Sequence, residues 1–332
     1  MPHEIDLSTG SAAVFVAGAP PWHGLGRIVA EAVRSDEALQ LAGLDWLVRQ
    51  QPLFTSGPDG STREIATHRV NVRDDSGAVL GVVSRRYQPI QNHEAFAFAD
   101  AVVGQKLARY ETAGALRGGQ RVWMLLRLPE PLRAGPDDQL DPFLLLYNTH
   151  DGSSALRAVL TTVRVVCQNT LNLALRGRAG EGVTIRHRGE LAGRVEQARA
   201  TLALASRRLQ RFGSEVERMV RTPMTTSAMR AYFGLVVRPP PSDADERAYE
   251  SRQRVLEQLE ANLERPTNTL PGMRGSLWAA VNAATELADH QRRYRGRSEQ
   301  QRREHRLDSV WFGDAARLKR LAWDAALVAM GN

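Results

Sequence analysis

The stretch LAGRVEQARATLALASRRLQRFGSEVERM, residues 191–219, decides how the chain is read. Leu191, Val195, Ala198, Leu202, Ala205, Leu209, Phe212, Val216 and Met219 recur at alternating steps of four and three, a heptad seam of about four repeats. No proline interrupts it before Pro223. The spacing predicts one helix over about 189–221, ~45 Å long at the rise of an α-helix. An apolar seam of that length must be covered by another helix of the same chain or by a neighbouring chain.

The covering helix is sought first towards the C-terminus. Pro239-Pro240-Pro241 is a stiff break. A second helix is expected after it, over about 243–264, with Leu256, Leu259 and Leu263 on one side as candidate partners of the seam. Pro266 to Gly275 reads as a loop. A helix over about 276–295 carries Trp278, Val281, Thr285 and Ala288 at helical spacing. Gln291 to Arg306 is polar and basic, either the exposed end of that helix or a flexible lid. A last short helix carries Leu318, Trp323 and Leu327.

Towards the N-terminus the pattern changes to mixed structure. Ser35 to Leu47 reads as a helix. Glu64 to Arg73 and Ala78 to Val83 read as a hairpin, turned by Asp74-Asp75-Ser76-Gly77. Asn92 is placed to cap a helix that carries Phe96, Ala99 and Val103. Thr112 to Gly119 contains glycines and reads as a mobile stretch. Arg121 to Leu128, Phe143 to Asn148 and Leu156 to Thr161 read as strands, and Thr149 to Ser154 as a polar turn. Thr162 is placed to cap a helix over 162–175 with Val163, Val166, Thr170 and Leu173. The expected fold is therefore α+β: an antiparallel sheet with packed helices over residues 1–180, then a mainly helical region over 181–332.

Composition narrows the function classes. Of 332 residues, 42% are hydrophobic and 24% charged, as in a globular protein. No apolar window is long enough for a membrane span, and residues 1–6 do not read as a signal peptide, so the cytoplasm is expected. The single cysteine, Cys167, excludes an intrachain disulfide and cysteine-rich zinc sites. Histidine spacing of the His-Glu-x-x-His kind is absent, as are Walker and dinucleotide-binding patterns, so no metal and no cofactor is expected. The formal charge is +7, and every basic residue except Lys106 and Lys319 is arginine. Such a skew suits phosphate or carboxylate, and a GC-rich genome also produces it. Residues 176–221 hold 11 arginines against 5 glutamates, and residues 292–306 hold 7 against 2. Both excesses are compatible with a polyanion and equally with solvated helical faces.

Two groups of candidate site residues follow. On the first basic segment, Arg186, Arg188, Arg199, Arg207, Arg208 and Arg211 are placed to follow a phosphate backbone. The second group is the polar run Tyr147 to Ser154 with Asn148, His150 and Asp151, followed by Cys167, Gln168, Asn169 and Asn172. So many polar groups between apolar runs must be hydrogen-bonded if buried, whether to a ligand or simply to the backbone. Cys167 with His150 has the chemistry of an activated thiolate, but a lone cysteine among valines is more often a small buried hydrophobe. Trp22 and His23 lie in the compact turn Pro20 to Gly26.

Several blocks, taken in order, carry a resemblance. They are Pro21-Trp22-His23-Gly24-Leu25-Gly26, Arg86-Tyr87-Gln88-Pro89-Ile90-Gln91-Asn92, Glu111-Thr112-Ala113-Gly114-Ala115-Leu116 and His150-Asp151-Gly152-Ser153. Arg164-Val165-Val166-Cys167-Gln168-Asn169-Thr170-Leu171, Gly275-Ser276-Leu277-Trp278, Asn282-Ala283, Asp289-His290 and Phe312-Gly313 with Lys319 continue the series. Together they resemble the domain-of-unknown-function family numbered 932, whose members are labelled phage/plasmid-like proteins. That resemblance implies a setting in DNA replication or recombination and carries no catalytic residue. The hairpin-plus-helix order is also similar to annealing proteins of the Rad52 type, which implies Arg157, Arg164 and the basic helix as strand contacts.

Three functions remain in view. The leading expectation is a non-enzymatic nucleic-acid-binding protein, a homo-oligomer that binds or anneals single-stranded DNA. The second is an enzyme of unspecified class with a pocket around His150, Asp151, Cys167, Gln168 and Asn169. The third is a structural or interaction protein that assembles through its long helix.

Overall fold

The computed structural model describes residues 14–17, 27–29, 35–103, 108–164, 170–173, 183–184 and 191–331. Twelve strands and eight α-helices fall among them. The strands are β1 (Val14–Ala17), β2 (Arg27–Val29), β3 (Val48–Ser56), β4 (Thr62–Arg73), β5 (Val79–Ser84) and β6 (Arg109–Leu116). They continue with β7 (Arg121–Arg127), β8 (Leu132–Gly135), β9 (Asp138–Thr149), β10 (Arg157–Arg164), β11 (Thr170–Leu173) and β12 (Val183–Thr184). The helices are α1 (Ser35–Leu41), α2 (Asn92–Val103), α3 (Leu191–Val220), α4 (Thr226–Val236), α5 (Glu246–Leu263), α6 (Leu277–Glu286), α7 (Glu299–Phe312) and α8 (Asp314–Ala329).

The large sheet runs in the order β11-β10-β9-β7-β6-β1-β2, with β12 also on β10 and β8 also on β9. Its pairs are antiparallel except β1 with β2. β7 and β9 are apolar on both faces, which marks a sheet covered on both sides. Val122, Met124, Leu126, Leu144 and Leu146 face α1, α2 and α3 in one core. Trp123, Leu125, Phe143, Leu145 and Val159 alternate with them and face Leu307, Val310 and Trp311 of α7 in a second core. The result is a three-layer α+β fold whose sheet core extends without a break into the C-terminal helices. A second sheet, β3-β4-β5, docks at one end.

The long helix forms as the heptad spacing predicts, over 30 residues. Ala205, Leu209, Phe212, Val216 and Met219 are buried in the chain's own core. The main neighbours of α3 are α2, β8 and α6, and Phe212 stacks on Trp323 of α8 at 4.8 Å. The helix over 246–263, expected to cover the seam, instead packs on α4 and α6.

Four other expectations are corrected. The helix expected over 162–175 gives way to strand in its described residues, 162–164 and 170–173: β10 and β11 are an antiparallel pair, with Val163 opposite Thr170 and Leu160 opposite Leu173. Thr161, Thr162 and Val163 are β-branched, and that run favours the strand. Thr112 to Leu116 is a central strand rather than a mobile stretch, with Gly114 opposite Trp123. The helix from Ser35 stops at Leu41 because Gly43 takes a left-handed turn, φ 62°, that returns the Leu44 amide to the Leu39 carbonyl. The helix from Ser276 loosens into a π turn at Leu287–Gln291, and Arg292 to Arg297 follow without helical structure before Ser298 caps α7. The hairpin of β4 and β5 forms as expected, with β3 as a third strand.

Candidate functional site

The polar run at the end of β9 is a weld between the sheets. His150 is fully buried, and its Nε2–H donates to Asn92 Oδ1 at 2.9 Å. Asn92 Nδ2 donates in turn to the carbonyls of Leu44 (2.8 Å) and Trp46 (3.4 Å), so the cap expected at Asn92 is spent on neighbouring backbone. Glu94 instead accepts from the Gln91 amide, 2.9 Å, at the start of α2. Asn71 of β4 donates to the His150 carbonyl (2.7 Å), and Tyr87 donates to the Thr149 carbonyl (3.0 Å). Asn148 Nδ2 reaches the Ile90 carbonyl at 3.4 Å. A Cβ on Gly81 would stand 2.6 Å from Asp151 Cα, so only glycine lets β5 approach this closely. Burial pushes the His150 imidazole down to about 4, and it is neutral at pH 7. Burial alone would raise the Asp151 carboxyl; hydrogen bonds from Ser153 and Thr149, with Arg121 nearby, outweigh it and hold the group below its ordinary value.

Trp22, His23, Cys167, Gln168 and Asn169 lie outside the described residues. Asn172 stands on β11 opposite Thr161.

The arginines of the first basic segment are mostly spent or undescribed. Arg186 and Arg188 lie outside the described residues, and Arg164 and Arg199 are described by their backbone alone. Arg208 and Arg211 converge on one buried carboxylate, Glu215, at 3.0 and 2.8 Å. Arg221 pairs with Glu217 (3.5 Å), and Arg218 donates to the Met330 carbonyl. Arg207 is exposed.

The second basic segment differs. Between the π turn and α7, Arg292, Arg293, Arg295 and Arg297 are all exposed, and none pairs with a carboxylate among the described side chains. Their backbone is nevertheless held. His305 Nδ1–H donates to the Arg295 carbonyl (2.6 Å), Arg302 to the Gly296 carbonyl (3.2 Å), and the Arg297 amide to Gln301 Oε1 (2.7 Å). A Cβ on Gly296 would meet the Arg302 amide at 2.8 Å, so this strap lies flat on α7. At its root, Gln291 and Asn262 exchange two side-chain hydrogen bonds, and Lys319 meets Asp289 at 2.7 Å with both groups buried. Burial lowers Lys319 from its ordinary value against the pull of Asp289.

A cleft of about 300 Å³ opens at the elbow of α7 and α8, lined by Arg121, Tyr147, Ser153, Ser154, Trp311, Phe312, Gly313, Ala316, Arg317 and Arg320. Three arginines and no carboxylate line it among the described residues. The Arg121 guanidinium lies 4.3 Å from the Phe312 ring centre, and Tyr147 packs on the same ring at 4.6 Å. Arg121 and Arg117 share Asp308, at 2.5 and 2.6 Å, and Arg317 pairs with Asp314. Arg157 stands opposite Tyr147 across β9 and β10, so its side chain leaves the same face of the sheet. It is the one expected strand contact, among the described side chains, that falls beside the cleft.

Among the described residues no three His, Cys, Asp or Glu side chains converge as a metal site, and no helix is long and apolar enough to cross a membrane. The fold and these surfaces define a three-layer α+β protein with an arginine strap and an arginine-lined cleft on its C-terminal helical layer. The chain belongs to the family described as Domain of unknown function (DUF932), whose signature matches residues 79–311. No curated protein and no solved structure matches it. The match takes in the strap, the His150 and Asn92 side of the weld and half of the residues that line the cleft; it begins after β3 and β4 and ends at Trp311, before Arg317 and Arg320.

Proposed function

We propose that the protein binds nucleic acid without catalysis, with single-stranded DNA favoured, in replication or recombination of phage or plasmid DNA. The observation that carries this reading is the strap: four exposed arginines in six residues, pinned by their backbone and lacking carboxylate partners among the described side chains. Like charges held this close repel one another, and a phosphate backbone relieves that repulsion while releasing counterions. A membrane surface is the less favoured polyanion, because none of the exposed large hydrophobic side chains lies in the strap or on α7. A single strand is favoured over duplex by the rings of Tyr147 and Phe312 beside Arg121, since aromatic platforms next to cations suit unstacked bases.

The test is anisotropy of a labelled single-stranded oligonucleotide at low salt, with the same sequence as duplex. Binding that weakens as salt rises, and is tighter for the single strand, is expected. No binding at low salt would remove the proposal. We also keep the homo-oligomer and the cytoplasm as parts of it. The stretch of the α3 seam from Ala205 to Met219 is occupied inside the chain, so contact between copies uses another surface. Light scattering at two protein concentrations tests assembly, and a monomer at both rules it out.

A further inference from the structure

We infer that the cleft at the α7–α8 elbow binds the phosphomonoester of a nucleoside, as a site separate from the strap. The cavity wall carries Arg121, Arg317 and Arg320 and no acidic group among the described residues. Asp308, mostly buried, pairs with Arg121, Asp314, exposed on the first turn of α8, pairs with Arg317, and Asp324 is within electrostatic reach of Arg320; none of the three lines the cavity. A guanidinium has five donors, so an ion pair with one carboxylate leaves others for a ligand. Arg121 Nε is buried and makes no hydrogen bond. Arg157, across the strand pair from Tyr147, has a buried Nε that likewise makes none.

The cleft also meets the start of α8. Gly313 precedes that helix, gives it no side-chain cap and lines the cavity with Ala316. Asp314 in its first turn and Ser309 Oγ on the Ala315 amide already meet part of the positive potential at this end of α8, so the three arginines supply most of the attraction for a dianion. Ser153 and Ser154 supply hydroxyls on the opposite wall. The part-exposed rings of Tyr147 and Phe312 give the same cavity an apolar flank, suited to a base or sugar rather than to a bare anion. The volume, about 300 Å³, fits one nucleotide-sized group and excludes a duplex. The phosphate can come from a free nucleotide or from the end of a strand, and the chemistry of recognition is the same.

Titration calorimetry separates these points. Adenosine 5′-monophosphate, adenosine and inorganic phosphate are compared on the full chain, followed by one short oligonucleotide with and without a 5′-phosphate. The nucleotide should bind about ten-fold or more tighter than either of its parts. Arg317→Ala with Arg320→Ala should remove most of that advantage, while Arg293→Gln with Arg295→Gln on the strap leaves it unchanged. A gain from the 5′-phosphate on the oligonucleotide assigns the source to strand ends; its absence, with the mononucleotide bound, assigns it to free nucleotide. Equal affinity for adenosine and its monophosphate, inorganic phosphate bound as tightly as the nucleotide, or no change in the double arginine variant would each overturn the inference. The strap variant reports on salt-dependent strand binding and the cleft variant on nucleotide binding, so each can fail while the other stands; only the preference for single strands shares Tyr147, Phe312 and Arg121 with the cleft.

Discussion

Arginine is used in two ways in this molecule. On α3, Arg208 and Arg211 close on the buried Glu215, while Arg207 beside them is exposed. On the strap, Arg292, Arg293, Arg295 and Arg297 keep their backbone in place and their charge in solvent. Counted along the sequence, the two segments show a similar excess, and the segment around α3 even has more arginines. Among the described side chains, what distinguishes them is whether the fold brings a carboxylate to the guanidinium. A spent charge is part of stability, while an unspent one costs a little stability and is available to a partner.

That distinction orders the expected effects. The most deeply spent pair is Lys319 with Asp289, where both groups are 1% exposed. Asp289→Ala takes the carboxylate from a buried ammonium and should cost about 3–5 kcal/mol, read by urea unfolding. His150 is the next largest. Its folded value near 4 lies below the unfolded value of 6.5, so the unfolded chain takes up the proton first as pH falls. Its contribution is complete above pH 6.5 and declines towards pH 4, by ~3 kcal/mol in all. The pH dependence of urea midpoints should therefore be shallower across that window in His150→Gln; an unchanged slope would place the loss elsewhere. Glu215→Ala releases Arg208 and Arg211 near the surface and should cost about 1 kcal/mol, because both can turn to water. The fourfold strap variant, each arginine changed to Gln, should leave stability within about 0.5 kcal/mol of the parent. A loss comparable with that of Asp289→Ala would mean that the strap arginines are structural after all.

How much of this is legible in the sequence follows from range along the chain. The long helix and the β4–β5 hairpin announce themselves because their signals are local: a 4-3 spacing and a glycine-bearing turn. The segment from Thr162 misleads because Val163, Val166, Thr170 and Leu173 satisfy a helical period, while strand pairing is decided by partners on β9. The partner of the seam escapes sequence reading for a similar reason, since α2 and α6 lie far from α3 along the chain. The weld explains why Arg86 to Asn92 and His150 to Ser153 stand out as motifs: they hold sheets together, and chemistry is not needed to account for them. The cleft draws on residues from 121 to 320, and no local pattern joins Arg121 and Tyr147 to Phe312 and Arg317. Only the prominence of His150 to Ser153 and Phe312-Gly313 hints that those ends meet. The strap is visible as charge, and its freedom from carboxylates is not.

The most direct measurement is the salt dependence of binding to a single-stranded oligonucleotide, for the parent and for the variant with Arg292, Arg293, Arg295 and Arg297 all changed to Gln. If the strap neutralises phosphates, the slope of log affinity against log salt should fall in magnitude by up to ~3 in the variant, about 0.7 for each phosphate no longer neutralised. An equally steep slope in both proteins, with the variant folded, would contradict the claim that these four arginines are the charge held out for a polyanion.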